Sequence, residues 1–280
     1  MAQDTREISK IALSTGGGDA PGLNAVIRAA VLAANRRGWQ SVGIRDGYNG
    51  LLMPERYDGA GVVPLTTASV HGITHLGGTI LGTTNRGNPL RFPIVDEKGE
   101  VKEIDRSDEL VARLTEAEID AVIAIGGDGS LGIANVLAQK GVRVIGVPKT
   151  IDNDLDRTVA TFGFDTAVSF ATECIDRLHT TAESHDRVIV VEVMGRYAGW
   201  IALHAGVAAT ADVILIPEIP FDLNKVVEKI NDREEHGRHF SIVVVAEGAT
   251  SVGGALSVVE KAIGREQRLG GAGAKVAAAI

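Results

Sequence analysis

Short runs rich in β-branched residues alternate along this chain with stretches whose apolar positions recur at helical spacing. The runs read as strands buried on both faces, the stretches as amphipathic helices. Ile8 to Ser14 reads as the first strand, followed by a glycine turn and a helix from Asn24 to Arg37 that ends at Gly38. Ser41 to Ile44 is the next strand. Ala121 to Ile125 and Val142 to Val147 are buried strands flanking a helix near Leu131 to Gln139. Thr166 to Thr181 carries apolar residues at 168, 171, 175 and 178, a helical stripe. Arg187 to Val193, Val213 to Ile216 and Ser241 to Ala246 read as further strands, and Asp222 as the cap of a helix ending near Gly237. The alternation is that of βαβ units, so the fold class is α/β, with mainly parallel sheets flanked by helices. Glycine loops crowd the first half and longer helices the second, which puts a domain boundary near Gly163: residues 1–163, then 164–280. Cys174, the Val168, Ala171, Ile175, Leu178 stripe, Trp39 and Trp200 are expected in the core.

Composition narrows the class. Among 280 residues, 34 are glycine and only 4% aromatic, which suits strand ends that turn sharply against a ligand. The single cysteine excludes an internal disulfide and points to a reducing compartment. Met1 to Lys10 is polar and mixed in charge, unlike a secretory signal, and no apolar run approaches the roughly 18 residues of a membrane helix. A cytoplasmic location is expected, with no membrane partner. The net charge of −8 argues against nucleic acid, which would call for a basic stripe. It leaves anionic small substrates open, because helix N-termini and local arginines reverse the field inside a cleft.

Three turns follow predicted strands, where open α/β sheets bind ligands. Gly16-Gly17-Gly18-Asp19-Ala20-Pro21-Gly22 lets backbone N–H groups approach an anion in front of a helix. Alone, such a turn is equally a tight strand-to-helix connection with no ligand. Gly126-Gly127-Asp128-Gly129-Ser130 sets a carboxylate between glycines, where a magnesium–phosphate complex could be held. Pro148-Lys149-Thr150-Ile151-Asp152-Asn153-Asp154 packs two carboxylates beside a lysine and a threonine. Farther on, Met194-Gly195-Arg196-Tyr197 places an arginine, suited to clamping an anion, after a strand.

Order and spacing of these stretches resemble the phosphofructokinase family, together with Gly77-Gly78-Thr79, Leu81-Gly82 and Glu247. The resemblance spans nearly the whole chain, and the 148–154 run is its most specific part. It implies two domains with the sugar in a cleft between them, and transfer of the γ-phosphoryl of Mg·ATP to the 1-hydroxyl of fructose 6-phosphate. By resemblance, Gly18, Arg86, Gly127, Asp128, Gly129, Ser130 and Lys149 would meet the phosphoryl donor, with Asp128 holding Mg2+. Asp152 would be the general base, supported by Thr150 and Asp154. Thr150, Ile151, Asp152, Met194, Gly195, Arg196 and Glu247 would bind the sugar, and Arg196 would steady the transferring group. Arg187 matches an arginine lent across a subunit interface to the sugar 6-phosphate, so a homodimer or homotetramer is implied.

The chain also departs from that pattern. ATP users carry glycine at both selector positions, pyrophosphate users Asp and Lys; here the pair is Gly129 and Lys149. Glycine at 129 leaves room for the α-phosphate of ATP, which is favoured; pyrophosphate is the alternative. The adenine-side arginine is shifted within Thr83-Thr84-Asn85-Arg86. Arg28 matches one effector-site arginine, but Leu32 and His179 stand where two more are expected, which puts the usual effector response in doubt. The Gly-His-x-Gln-Arg-Gly-Gly stretch expected near the end is absent after Arg268 to Lys275. A fragment of a longer product is therefore expected, less active than the extended chain, and a non-catalytic chain is a second alternative.

Overall fold

The computed structural model describes residues 7–95, 99–260 and 267–280. The polar start, residues 1–6, lies outside them. The chain divides into two compact units, Met1–Thr150 and Ile151–Ile280. This division lies at the end of a strand, earlier than the expected boundary near Gly163. Glycine content marks where turns occur but not which unit a loop packs with.

The first unit contains β1 (Lys10–Thr15), α1 (Leu23–Arg36), β2 (Gln40–Ile44), α2 (Asn49–Leu52), β3 (Val62–Leu65) and the hairpin β4 (Phe92–Val95) and β5 (Val101–Ile104). It continues with α3 (Ser107–Glu116), β6 (Ala121–Gly126), α4 (Asp128–Gln139) and β7 (Arg143–Thr150). Within its main sheet the strands run in the order β3-β2-β1-β6-β7, parallel except for β2 against β3. The chain leaves β1 for β2 on one side and later returns to β6 on the other. The carboxyl ends of β1 and β6 therefore flank a switch point, where doubly wound sheets open a crevice.

Alternate residues of β1 feed opposite faces, as the period of two demands. Ile11 and Leu13 pack with Leu23, Ile27 and Val31 of α1, while Ala12 packs with Leu110 and Leu114 of α3 and Leu137 of α4. Helices thus cover both faces, which is why β6 reads as a nearly continuous apolar run.

The second unit contains the two-residue β8 (Phe162–Gly163), then α5 (Phe164–Ser184), β9 (Val188–Val193), α6 (Trp200–Ala208) and β10 (Val213–Leu215). There follow α7 (Leu223–Glu235), β11 (Ser241–Ala246), the pair β12 (Val258–Glu260) and β13 (Arg268–Leu269), and α8 (Ala272–Ala279). A parallel sheet runs β10-β11-β9, with every residue of the central β11 buried. An internal ion pair, Arg233 to Asp212 at 2.7 Å, ties α7 to this sheet. Asp212 also accepts from the Ile242 N–H, and Arg233 donates to Ser241 Oγ and the Phe240 carbonyl, so both charges stay hydrogen-bonded. Asp222 caps α7, its carboxylate accepting from the Asn224 N–H at 2.9 Å.

Two core expectations fail. Ile175 is fully buried, with Val168, Ala171 and Leu178 packed around the same core, but Cys174 is exposed. One residue along a helix turns the side chain by about 100°, so Cys174 leaves the face that Ile175 buries. Trp200, the first residue of α6, is exposed, while Ile201, Ala202 and Ala205 take the inner face. Trp39 is half-buried against the α1 layer.

Candidate active site

In the first unit, three segments far apart in sequence meet at the carboxyl ends of β1, β6 and β7. The second glycine stretch is not a free loop. Gly127 is the N-cap of α4, and Asp128, Gly129 and Ser130 form its first turn, three residues earlier than the helix expected from Leu131. Their backbone N–H groups lie at the positive end of a 12-residue helix. Asp128 is exposed at the first helical position. The positions where Gly18 and Gly129 would carry a Cβ have nothing within 4 Å, so this end of the helix is open.

Close approach explains two of the glycines. A Cβ at Gly16 or at Gly126 would collide with the Ser130 side chain, so only glycine lets the first turn and the β6–α4 junction close on one another. The first turn is also laced by hydrogen bonds. Gly16 N–H donates to the Ile125 carbonyl at 3.0 Å and Gly17 N–H to the Thr84 carbonyl at 3.3 Å. The Thr83 hydroxyl donates to the Gly17 carbonyl at 2.6 Å. Thr83 and Thr84 thereby bring the Thr83-to-Arg86 segment to the turn. Arg86 is exposed, and its N–H donates to Thr84 Oγ1 at 3.0 Å.

Pro148, Lys149 and Thr150 belong to β7 rather than to a loop, because pairing with β6 extends to Pro148 opposite Gly126. Lys149 is only 4% exposed, and its ammonium donates to the Gly18 carbonyl. Thr150 is half-buried at the strand end.

The second unit holds the remaining candidates. Asp152 is 8% exposed. In the same loop Asn153 adopts a left-handed φ of 52°, and its side-chain oxygen accepts from the Thr161 N–H at 3.0 Å, pinning the segment. Glu247 follows β11 and is buried; its Oε1 accepts from the N–H of Arg196 at 2.9 Å and of Gly195 at 3.3 Å. Those bonds hold a strained turn: Arg196 has φ of 54°, costing a non-glycine residue roughly 1–3 kcal/mol. Glu218 supports the far side, accepting from the Gly199 N–H at 2.8 Å. The structure thus joins Met194, Gly195, Arg196 and Glu247. Met194 is exposed, and Arg187 is exposed just ahead of β9.

The phosphofructokinase family pattern matches residues 10–278. An ATP-dependent 6-phosphofructokinase 2 of Clostridium perfringens is 52% identical over 274 residues, covering 96% of this chain and 73% of that protein. The chain belongs to the phosphofructokinase family.

A second relative in the family, the pyrophosphate–fructose 6-phosphate 1-phosphotransferase of Amycolatopsis methanolica, is 51% identical over 267 residues, covering 94% of this chain and 73% of its own. Among solved structures, Pichia pastoris phosphofructokinase superposes with a TM-score of 0.76 at 31% identity over 90% of this chain. Our chain spans 27% of the Pichia chain's length. Relatives at similar identity thus carry both donor names. Among the described residues, no three His, Cys, Asp or Glu side chains gather as an all-protein metal cage. A magnesium ion is commonly held by one or two carboxylates together with substrate phosphates. Asp128, exposed beside the open helix end, fits such a role. No helix among the described residues is long and apolar enough to cross a membrane.

Proposed function

We propose that this chain is a 6-phosphofructokinase, moving the γ-phosphoryl of Mg·ATP to the 1-hydroxyl of fructose 6-phosphate in the cytoplasm. The observation that carries the reading is the open N-terminal turn of α4 at the sheet's switch point, with Asp128 exposed and Gly129 bare. The helix N–H groups and the 16–22 turn receive the donor phosphates, and Arg86 lies at the edge of the same loops. The unscreened space at Gly129 admits the α-phosphate that ATP has and pyrophosphate lacks. Magnesium, held by Asp128 and the donor, would neutralise phosphate charge as it builds up in transfer.

Asp152 takes the proton from the 1-hydroxyl as it attacks, with Thr150 and Ile151 shaping the approach. Arg196 steadies the charge on the transferring phosphoryl, a task that needs its guanidinium aimed in advance. Its backbone is held by Glu247, which supports that aim. Met194 and Gly195 line the sugar. Arg187, exposed at the start of β9, serves the 6-phosphate of a neighbouring subunit in a homodimer or homotetramer.

Pyrophosphate is the second reading, favoured by the donor named for the Amycolatopsis relative. Fructose 1,6-bisphosphate formation with magnesium, measured side by side with ATP and pyrophosphate, tests the proposal. Faster turnover with ATP is expected. Turnover with pyrophosphate alone would replace the donor, and none with either would overturn the function.

A further inference from the structure

Lys149 is buried on β7, yet its ammonium binds a carbonyl in the turn after β1. In the strand order β1-β6-β7 these two ends are separated by an intervening strand. Two strand spacings amount to about 9.5 Å, a gap that the long lysine stem and one hydrogen bond close together. Each of the first three residues of the turn is thus tied to a different element. Gly16 is bonded to the end of β6, Gly17 to the Thr83–Thr84 segment, and Gly18 to Lys149 of β7. A Cβ at Gly17 would lie 3.7 Å from Lys149 Nζ and 3.8 Å from Ser130 Oγ, so the lysine head and the first turn of α4 both come close to the turn at Gly17.

We propose that Lys149 is a positioning residue: by binding the Gly18 carbonyl it locks the 16–22 turn against α4, and it does not choose the donor. The kinetic half of this rests on the phosphotransferase reading above. The ammonium is held within the protein on a backbone acceptor rather than presented in the open space beside Gly129. Its charge is close to the donor site as a whole and acts on the phosphates of ATP and pyrophosphate alike, so it gives little basis for telling them apart. What it contributes is a turn already shaped for phosphate, and that contribution is lost without the bond.

The test is Lys149→Met, which keeps a long stem at this buried position but removes the charge and the donors. Hydrogen exchange of the donor-free protein reads the lock directly. We expect amides of the 16–22 turn to exchange at least about tenfold faster, with those of α7 unchanged. Kinetically, kcat/KM should fall with both donors through a raised donor KM, the ATP-to-pyrophosphate ratio moving less than about threefold and the sugar KM holding. Unchanged exchange at the turn overturns the proposal, as does a tenfold or greater shift in donor preference. If Lys149→Met fails to fold, Lys149→Gln, uncharged and one bond too short to span two strand spacings to the Gly18 carbonyl, takes its place with the same two outcomes. If the unmodified chain uses neither donor, the functional reading fails and the exchange measurement alone still decides whether the lysine locks the turn.

Discussion

Gly129→Asp changes one side chain at the position to which we assign the choice of donor. Gly129 is the second residue of α4, and a Cβ there meets nothing within 4 Å. The fold should therefore accept the replacement. Aspartate is a slightly better helix former than glycine, and a carboxylate in a first turn gains about 0.3–1 kcal/mol from the helix dipole. The neighbouring Asp128 offsets part of that gain, so the melting temperature should move by only about 2–4 °C either way. The donor feels a larger effect. Two like unit charges about 4 Å apart repel by roughly 4 kcal/mol at an effective dielectric of 20, and water in an open cleft can halve this. The remaining ~2 kcal/mol is about thirtyfold in kcat/KM, because each 1.4 kcal/mol is tenfold. Pyrophosphate has no α-phosphate to repel. Steady-state kinetics with each donor at saturating fructose 6-phosphate should show ATP use falling at least about tenfold, with pyrophosphate use spared or improved. An equal loss with both donors, or unimpaired ATP use in a folded variant, refutes the reasoning. So does an unmodified enzyme that already prefers pyrophosphate.

Asp152→Asn should keep the fold and both substrates while kcat drops about 10²- to 10⁴-fold at nearly constant KM; a near-normal kcat removes Asp152 as the base. Asp128→Ala should raise the magnesium needed for half-maximal ATP turnover, and an unchanged metal titration would show the assignment to be wrong. Glu247→Ala leaves the N–H groups of Gly195 and Arg196 without their acceptor, an expected cost of about 1–3 kcal/mol. Activity should fall at least tenfold and recover in Glu247→Gln, whose amide oxygen still accepts both bonds; full activity in the alanine variant excludes the role. Asp120 accepts from the N–H of Ser9 and of Lys10, and these bonds hold its carboxyl below the usual carboxylate range. The folded state favours the charged form, so this contribution is present above about pH 4 and is lost as pH falls through the depressed pKa. Urea titrations should show Asp120→Asn less stable near neutral pH, with the gap closing in acid; a gap independent of pH rules the carboxylate out.

Local pattern alone carried much of this protein. Continuous apolar runs such as Ala121 to Ile125 and Ser241 to Ala246, short and rich in β-branched residues, read as strands covered on both faces, and the helical stripes between them point to a parallel α/β sheet. Asp222 was legible as a cap because capping acts over two residues. The glycine turns were legible too, since a turn that closes tightly on a neighbouring segment must omit Cβ. Tertiary structure decided what depends on partners distant in sequence. Nothing near Lys149 says that its ammonium turns toward Gly18, 131 residues away, because that follows from strand order and not from spacing. Glu247 reads as a substrate ligand, yet its carboxylate also grips the backbone of Gly195 and Arg196. Glu192, an acidic residue within an apolar strand, finds its purpose in accepting from the N–H groups of Gly271 and Gly273 at the start of α8. Exposure of Trp200 was likewise hidden, since periodicity gives the direction of a face but not how much protein covers it. A side chain's type is written in the sequence, but the group that satisfies its charge or hydrogen bond is chosen by the fold, because burial leaves few partners and geometry selects among them.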